Sequence, residues 1–167
     1  MRNMTEGNLK GAFAGESQAH MRYLAFADKA EKEGFPNIAR LFRAVSFAEQ
    51  VHATGHLRTL GGIAGTVENL TEAIGGENFE VDEMYPAYIA VAELQGEKPA
   101  VRSMNFALAA EKIHAAMYVQ AKQAVESNQD MAVGSIYICE VCGYTVEGAA
   151  PDRCPVCNAT KDKFHAF

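Results

Sequence analysis

Apolar residues recur at three- and four-residue spacing through most of this chain, and that rhythm stops near residue 130. Such spacing marks amphipathic helices. It predicts four of them. The first runs from about Thr5 to Lys32, with Thr5 as its N-cap, and the second from about Pro36 to Leu60, with proline in the first turn where its missing N–H costs nothing. The third runs from about Phe79 to Gln95 and the fourth from about Pro99 to Ser127. Gly34 closes the first helix and Gly61-Gly62 the second. Pro86, inside the third, predicts a kink or a frayed first turn. The stretch from Gly61 to Asn78 reads as a long glycine-rich connection, able to cross the end of a bundle or to let helices exchange between subunits. After Asp130, "SIYICEVCGYTVEGAAPDRCPVCNATKDKFHAF" reads as short strands and turns. A domain boundary is therefore expected between Met131 and Ser135, dividing the chain into residues 1–134 and 135–167.

The helical part repeats itself. At a shift of 62 residues, Tyr23 meets Tyr85, Ala30 meets Ala92, Glu31 meets Glu93, Gly34 meets Gly96 and Arg40 meets Arg102. Glu49 then meets Glu111, and His52 meets His114. Two helix hairpins related by duplication predict a four-helix bundle.

Each helix has an inward stripe that is apolar except at one level. There the first helix carries Glu16, the second Glu49 and His52, the third Glu80 and Glu83, and the fourth Glu111 and His114. Several carboxylates sharing a core repel one another unless cations compensate them. Glu and His three residues apart project from one helical face, so one turn offers an oxygen and a nitrogen to the same ion. The pairs "EQVH" (49–52) and "EKIH" (111–114), with a glutamate from each remaining helix, make a di-iron carboxylate constellation. Oxygen and imidazole donors suit iron or manganese. By its distance from the Glu-x-x-His pair, Glu80 is matched here to Glu16, and Glu83 is taken as an extra ligand that makes the site asymmetric. His20 and His56 lie one turn from ligands and are read as supporting or core residues. Tyr23, Tyr85 and Tyr118 face inward, either hydrogen-bonding to ligands or packing.

All four cysteines fall between residues 139 and 157, as C-x2-C, eleven residues, then C-x2-C. Two such knuckles enclose one tetrahedral ion. Zinc and iron both accept four thiolates. Gly143-Tyr144 after the first knuckle, Pro155 within the second, and nearby Tyr137 and Phe164 favour iron. The net charge of −6 argues against a nucleic-acid or anionic-membrane partner. No run approaches a membrane span, and "MRNMTEGNLKGAFAGE" lacks the apolar core of a signal peptide, so the expected location is the cytoplasm.

The segments "AGESQAHMRY", "FEVDEMYP", "AEQVH", "AEKIH", "CEVCGY" and "CPVC" together resemble the rubrerythrin family over essentially the whole chain. The resemblance implies a mainly α protein: a ferritin-like four-helix bundle with a small C-terminal rubredoxin-like metal-knuckle β domain. It carries di-iron ligation to Glu16, Glu49, His52, Glu80, Glu83, Glu111 and His114. It carries an iron–tetrathiolate site to Cys139, Cys142, Cys154 and Cys157, with zinc a possible substitute. Within it Glu83 corresponds to a redox-mobile ligand trading places with His52. Where the family commonly has two glutamates in the second-helix motif, Glu49-Gln50 stands here.

The implied activity is reduction of hydrogen peroxide to water. A diferrous pair holds both electrons for the O–O bond, and the tetrathiolate iron refills it. Electrons are expected from a donor protein, a rubredoxin or an NAD(P)H-dependent reductase, because no G-x-G-x-x-G nucleotide fingerprint occurs here. The family also implies a homodimer or higher homo-oligomer, with the rubredoxin-like iron of one subunit near the di-iron site of the other. Two other classes of function compete. One is ferritin-like iron oxidation and handling, against which a tethered electron relay speaks. The other is a zinc-ribbon adaptor on a helical scaffold, against which the inward carboxylates speak.

Overall fold

The computed structural model describes residues 1–167 and resolves into two compact units, Met1–Ala64 and Gly65–Phe167. The first is a helix hairpin, α1 (Asn3–Lys32) and α2 (Pro36–Thr59). Small side chains at the seam let the two backbones approach. Ala27, Ala39 and Ser46 are wholly buried, with Ala19, Ala30 and Ala53 nearly so. Toward the turn, the ring of Phe42 lies 6.1 Å from Tyr23 and 5.6 Å from Phe26. Gly34, at φ +82°, ends α1 in the left-handed conformation that glycine adopts without strain. Thr5 is not the N-cap: α1 begins at Asn3, and Thr5 lies in its first turn. A two-helix hairpin buries only its seam. Ile38 and Val45, inward by spacing, are therefore exposed, as are Leu41, Phe47 and Val51.

The second unit holds α3 (Thr66–Phe79), a π-helical turn (Glu80–Met84), α4 (Tyr85–Leu94) and α5 (Lys98–Glu126). The expected long loop from Gly61 to Asn78 is a correction. Only residues 60–65 form the connection, and the rest is helix. Val67, Leu70 and Ile74 carry helical spacing, and α3 packs along α5. That packing outweighs the cost of Gly75 and Gly76, on the order of 1 kcal/mol each in a helix interior. The disturbance expected at Pro86 is found as the π turn just before it. Pro86 has no N–H for the Asp82 carbonyl, and the widened turn accommodates the loss.

The C-terminal segment forms a three-stranded antiparallel sheet in the order β2 (Thr145–Glu147), β1 (Ile136–Cys139), β3 (Phe164–Ala166). Tyr137 pairs with Val146 on one side and Ala166 on the other. The small core here is Cys139, Cys142 and Cys154, covered by Tyr144, Val156, Phe164 and, from α5, Phe106. No helix is long and apolar enough to cross a membrane.

Candidate metal centres

Donor groups gather in three places. In the first unit, Glu16, Glu49 and His52 bring their ligand atoms within 4.8 Å of one another. His52 Nδ1 stands 3.0 Å from Glu49 Oε2. The neighbouring turn is fixed by a buried polar clasp. The Ser46 hydroxyl donates to the His20 carbonyl at 2.9 Å, and His20 Nδ1 donates to the Ser46 carbonyl at 2.9 Å. His20 thus has the supporting place its sequence position suggested, holding α1 against α2 beside Glu16 and Glu49.

In the second unit, Glu77, Glu111 and His114 form the matching group, again within 4.8 Å. His114 Nδ1 lies 2.7 Å from Glu111 Oε2, repeating the His52–Glu49 contact one repeat later. Burial, then a hydrogen bond and charge repulsion from Glu111, push the Glu77 carboxyl up to about 7. Glu80 is close enough that burial and the Glu111 charge raise it too. Tyr85 faces the same group: burial and the charges of Glu80, Glu111 and Glu77 raise its hydroxyl.

The group takes in Glu77, which sequence reasoning missed, while Glu83, expected as an extra ligand, lies outside it. Glu83 is exposed, whereas Glu77, Glu80, Met84 and Tyr85 are partly buried. An uninterrupted 3.6-residue helix would stack Glu83 over Glu80. In the π turn the pitch widens, so Met84 and Tyr85 take the inner side and Glu83 rotates outward. A signal was present in the sequence. Seven residues separate Glu16 from Tyr23, but eight separate Glu77 from Tyr85. The π turn absorbs that one added residue. It also leaves both Glu77 and Glu80 near Glu111, so this group is richer in carboxylate than the one in the first unit.

The third group is Cys139, Cys142, Cys154 and Cys157. Sulfur–sulfur distances are 3.6 Å for Cys139–Cys157 and 3.5 Å for Cys142–Cys154. A tetrahedral ion with metal–sulfur bonds of 2.3 Å has sulfur–sulfur edges of roughly 3.8 Å, so the cage fits such an ion without rearrangement. Each knuckle turns over at the residue after its second cysteine, Gly143 at φ +78° and Asn158 at φ +63°. Backbone N–H groups of Cys157 and Val156 outweigh burial and lower the Cys154 thiol, while burial pushes Cys142 and Cys157 up. Metal-free, these three thiols are unequal; a bound cation makes all four cysteines thiolates.

The knuckle is seated on the helix that carries the second carboxylate group. Gly143 faces Ala110, whose Cβ would lie 3.6 Å from a Cβ placed on the glycine. A cleft of about 300 Å³ between them is lined by Glu111, His114 and Phe106 on the helix and by Cys142 and Gly143 on the knuckle. His114 Nε2 reaches the Thr145 hydroxyl at 2.8 Å. The family resemblance implied a relay between subunits; here the chain's own knuckle stands beside its own Glu111 and His114.

Known proteins share this organisation. The family model described as Rubrerythrin matches residues 7–122, and that described as the rubredoxin-like domain of rubrerythrin matches residues 137–165. Rubrerythrin-2 of Clostridium acetobutylicum is 42% identical, over 98% of this chain and 97% of its own. Nigerythrin of Nitratidesulfovibrio vulgaris is 34% identical, over 96% of this chain and 85% of its own. Among solved structures, nigerythrin in a mixed-valent state matches with a TM-score of 0.56 at 33% identity, covering 98% of this chain and 86% of that one. The fully reduced, all-ferrous nigerythrin matches with a TM-score of 0.55 at 33% identity. The fold class is accordingly mainly α and ferritin-like, with a small rubredoxin-like C-terminal domain. The metal donors are those of a carboxylate–imidazole di-iron centre and an iron–tetrathiolate.

Proposed function

The chain belongs to the rubrerythrin family, and from that premise we propose that it reduces hydrogen peroxide to water with electrons passed through its tetrathiolate site. Hydrogen peroxide, two electrons and two protons give two waters. The observation that carries the reading is the seating of the cysteine knuckle against Glu111 and His114. An iron-storage protein has no use for an electron relay at that place.

We assign iron ligation to two sets of donors, Glu16, Glu49 and His52 within the first hairpin and Glu77, Glu80, Glu111 and His114 within the second unit. Iron held there would supply the two electrons needed to break the O–O bond, and iron held by Cys139, Cys142, Cys154 and Cys157 would serve as the one-electron relay. The residues do the rest. The carboxylates and imidazoles offer oxygen and nitrogen donors to a cation, and the second set carries one more carboxylate than the first. Tyr85, its hydroxyl kept protonated by burial and the adjoining carboxylates, is placed to donate a hydrogen bond to oxygen at the site. The domains of this reading are residues 1–134, the di-iron bundle, and 135–167, the relay.

The electrons come from a rubredoxin or an NAD(P)H-dependent reductase. The work is done in the cytoplasm, where thiols stay reduced. The protein acts as a homodimer or higher homo-oligomer. Exposed Leu41, Phe47 and Val51 on the first hairpin and Leu94 on the second unit support that association, as apolar area that assembly would take from water.

The test is anaerobic. Reduced, iron-loaded protein receives one equivalent of peroxide while residual peroxide and the ferric-thiolate colour are followed. Rapid loss of peroxide at two electrons per molecule is expected. Cys157→Ser should keep that first reoxidation and lose steady turnover. Peroxide left unreacted by iron-loaded protein would overturn the reading in favour of iron handling.

A further inference from the structure

Thr145 opens β2, pairs with Ile138 across the sheet, and is 4% exposed. Its hydroxyl makes two contacts. It lies 3.0 Å from the Gly143 carbonyl and 2.8 Å from His114 Nε2. A threonine hydroxyl has one proton to give, and a carbonyl can only accept. Both contacts are hydrogen bonds in one arrangement alone: Thr145 donates to Gly143, and His114 donates its Nε2–H to Thr145.

We propose that Thr145 is the positioning residue for His114: it holds the imidazole with its proton on Nε2 and its Nδ1 turned to Glu111 as a metal donor. The Nδ1 edge of the same ring lies 2.7 Å from Glu111 Oε2, so it faces the other donors of the group. Metal-binding histidines are generally oriented through their other ring nitrogen. In this chain the orienting group comes from the relay domain, 31 residues further along. The two hydrogen bonds therefore tie the backbone beside Cys142 to a ligand of the di-iron centre. Folding of the knuckle and readiness of the ligand are one event. His52, the counterpart of His114 in the first hairpin, is more than half exposed, with 56% of its side chain accessible.

The inference rests on the metal centre and not on the identity of the oxidant, so its test uses no peroxide. Full-length protein is prepared with zinc in the cysteine knuckle and no metal at the carboxylates. The ring nitrogens of His114 are then observed by 15N NMR. A protonated Nε2 is expected in the wild type and in Thr145→Ser, and mixed tautomers in Thr145→Val. Binding of Mn2+ to the carboxylate–histidine site, followed by EPR, should weaken by roughly 10- to 100-fold in Thr145→Val, as for other lost partners of ligating histidines, and recover in Thr145→Ser. Valine keeps the β-branched shape, and an unchanged ferric-thiolate spectrum of the iron-loaded knuckle shows that the domain still folds. A bare Nε2 in the wild type overturns the proposal whatever the variants do. So does wild-type Mn2+ binding by Thr145→Val.

Discussion

Replacing Glu77 with glutamine removes the one carboxylate whose proton the structure displaces furthest within the helical metal site. Burial and the neighbouring Glu111 raise Glu77 from its ordinary 4.5 to about 7. Between those values the folded chain binds a proton that the unfolded chain has released. Stability of the metal-free site is therefore fully present below pH 4.5 and falls as pH rises through 7. A displacement from 4.5 to about 7 corresponds to about 3 kcal/mol. Partial solvent access and the hydrogen bond shared with Glu111 reduce the loss to roughly 1–3 kcal/mol. The assay is urea unfolding followed by helical circular dichroism at pH 5, 6, 7 and 8, with one zinc per chain held in the knuckle. The wild type should lose stability across this range, and Glu77→Gln, neutral throughout, should lose much less. Metal at the helical site should reverse the wild-type slope, because binding expels the proton and is favoured as pH rises. A wild type equally stable at pH 5 and 8, or a Glu77→Gln protein with an undiminished slope, would refute the reasoning.

Two further outcomes are expected. Glu83→Ala should retain the metal content and peroxide turnover of the wild type within about twofold, since surface substitutions away from such features rarely matter. Glu77→Ala should lower both; equal losses in the two variants would return Glu83 to the ligand set. In a dilution series followed by sedimentation velocity, activity per chain should fall as oligomers dissociate, and activity that stays level down to the monomer would dispose of the proposed assembly.

Features that depend on local spacing were legible in the residue order alone. A 3.6-residue apolar period located α1, α2 and α5, and the end of α4, to within a few residues. The duplication paired Glu49–His52 with Glu111–His114, and the same contact recurs in both pairs because three residues make most of one helical turn. The four cysteines needed only their spacing, since each C-x2-C is a self-contained turn. Tertiary packing decided the rest. Residues 66–78 read as loop because Gly75 and Gly76 lower helix propensity, yet packing along α5 keeps them helical. The choice of Glu77 over Glu83 depends on a π turn, and a wider pitch leaves almost no local signature beyond one extra residue against the repeat. The link from Thr145 to His114 joins a strand to a helix across 31 residues. No periodicity predicts such a pair, because it exists only where the knuckle comes to rest on the helix.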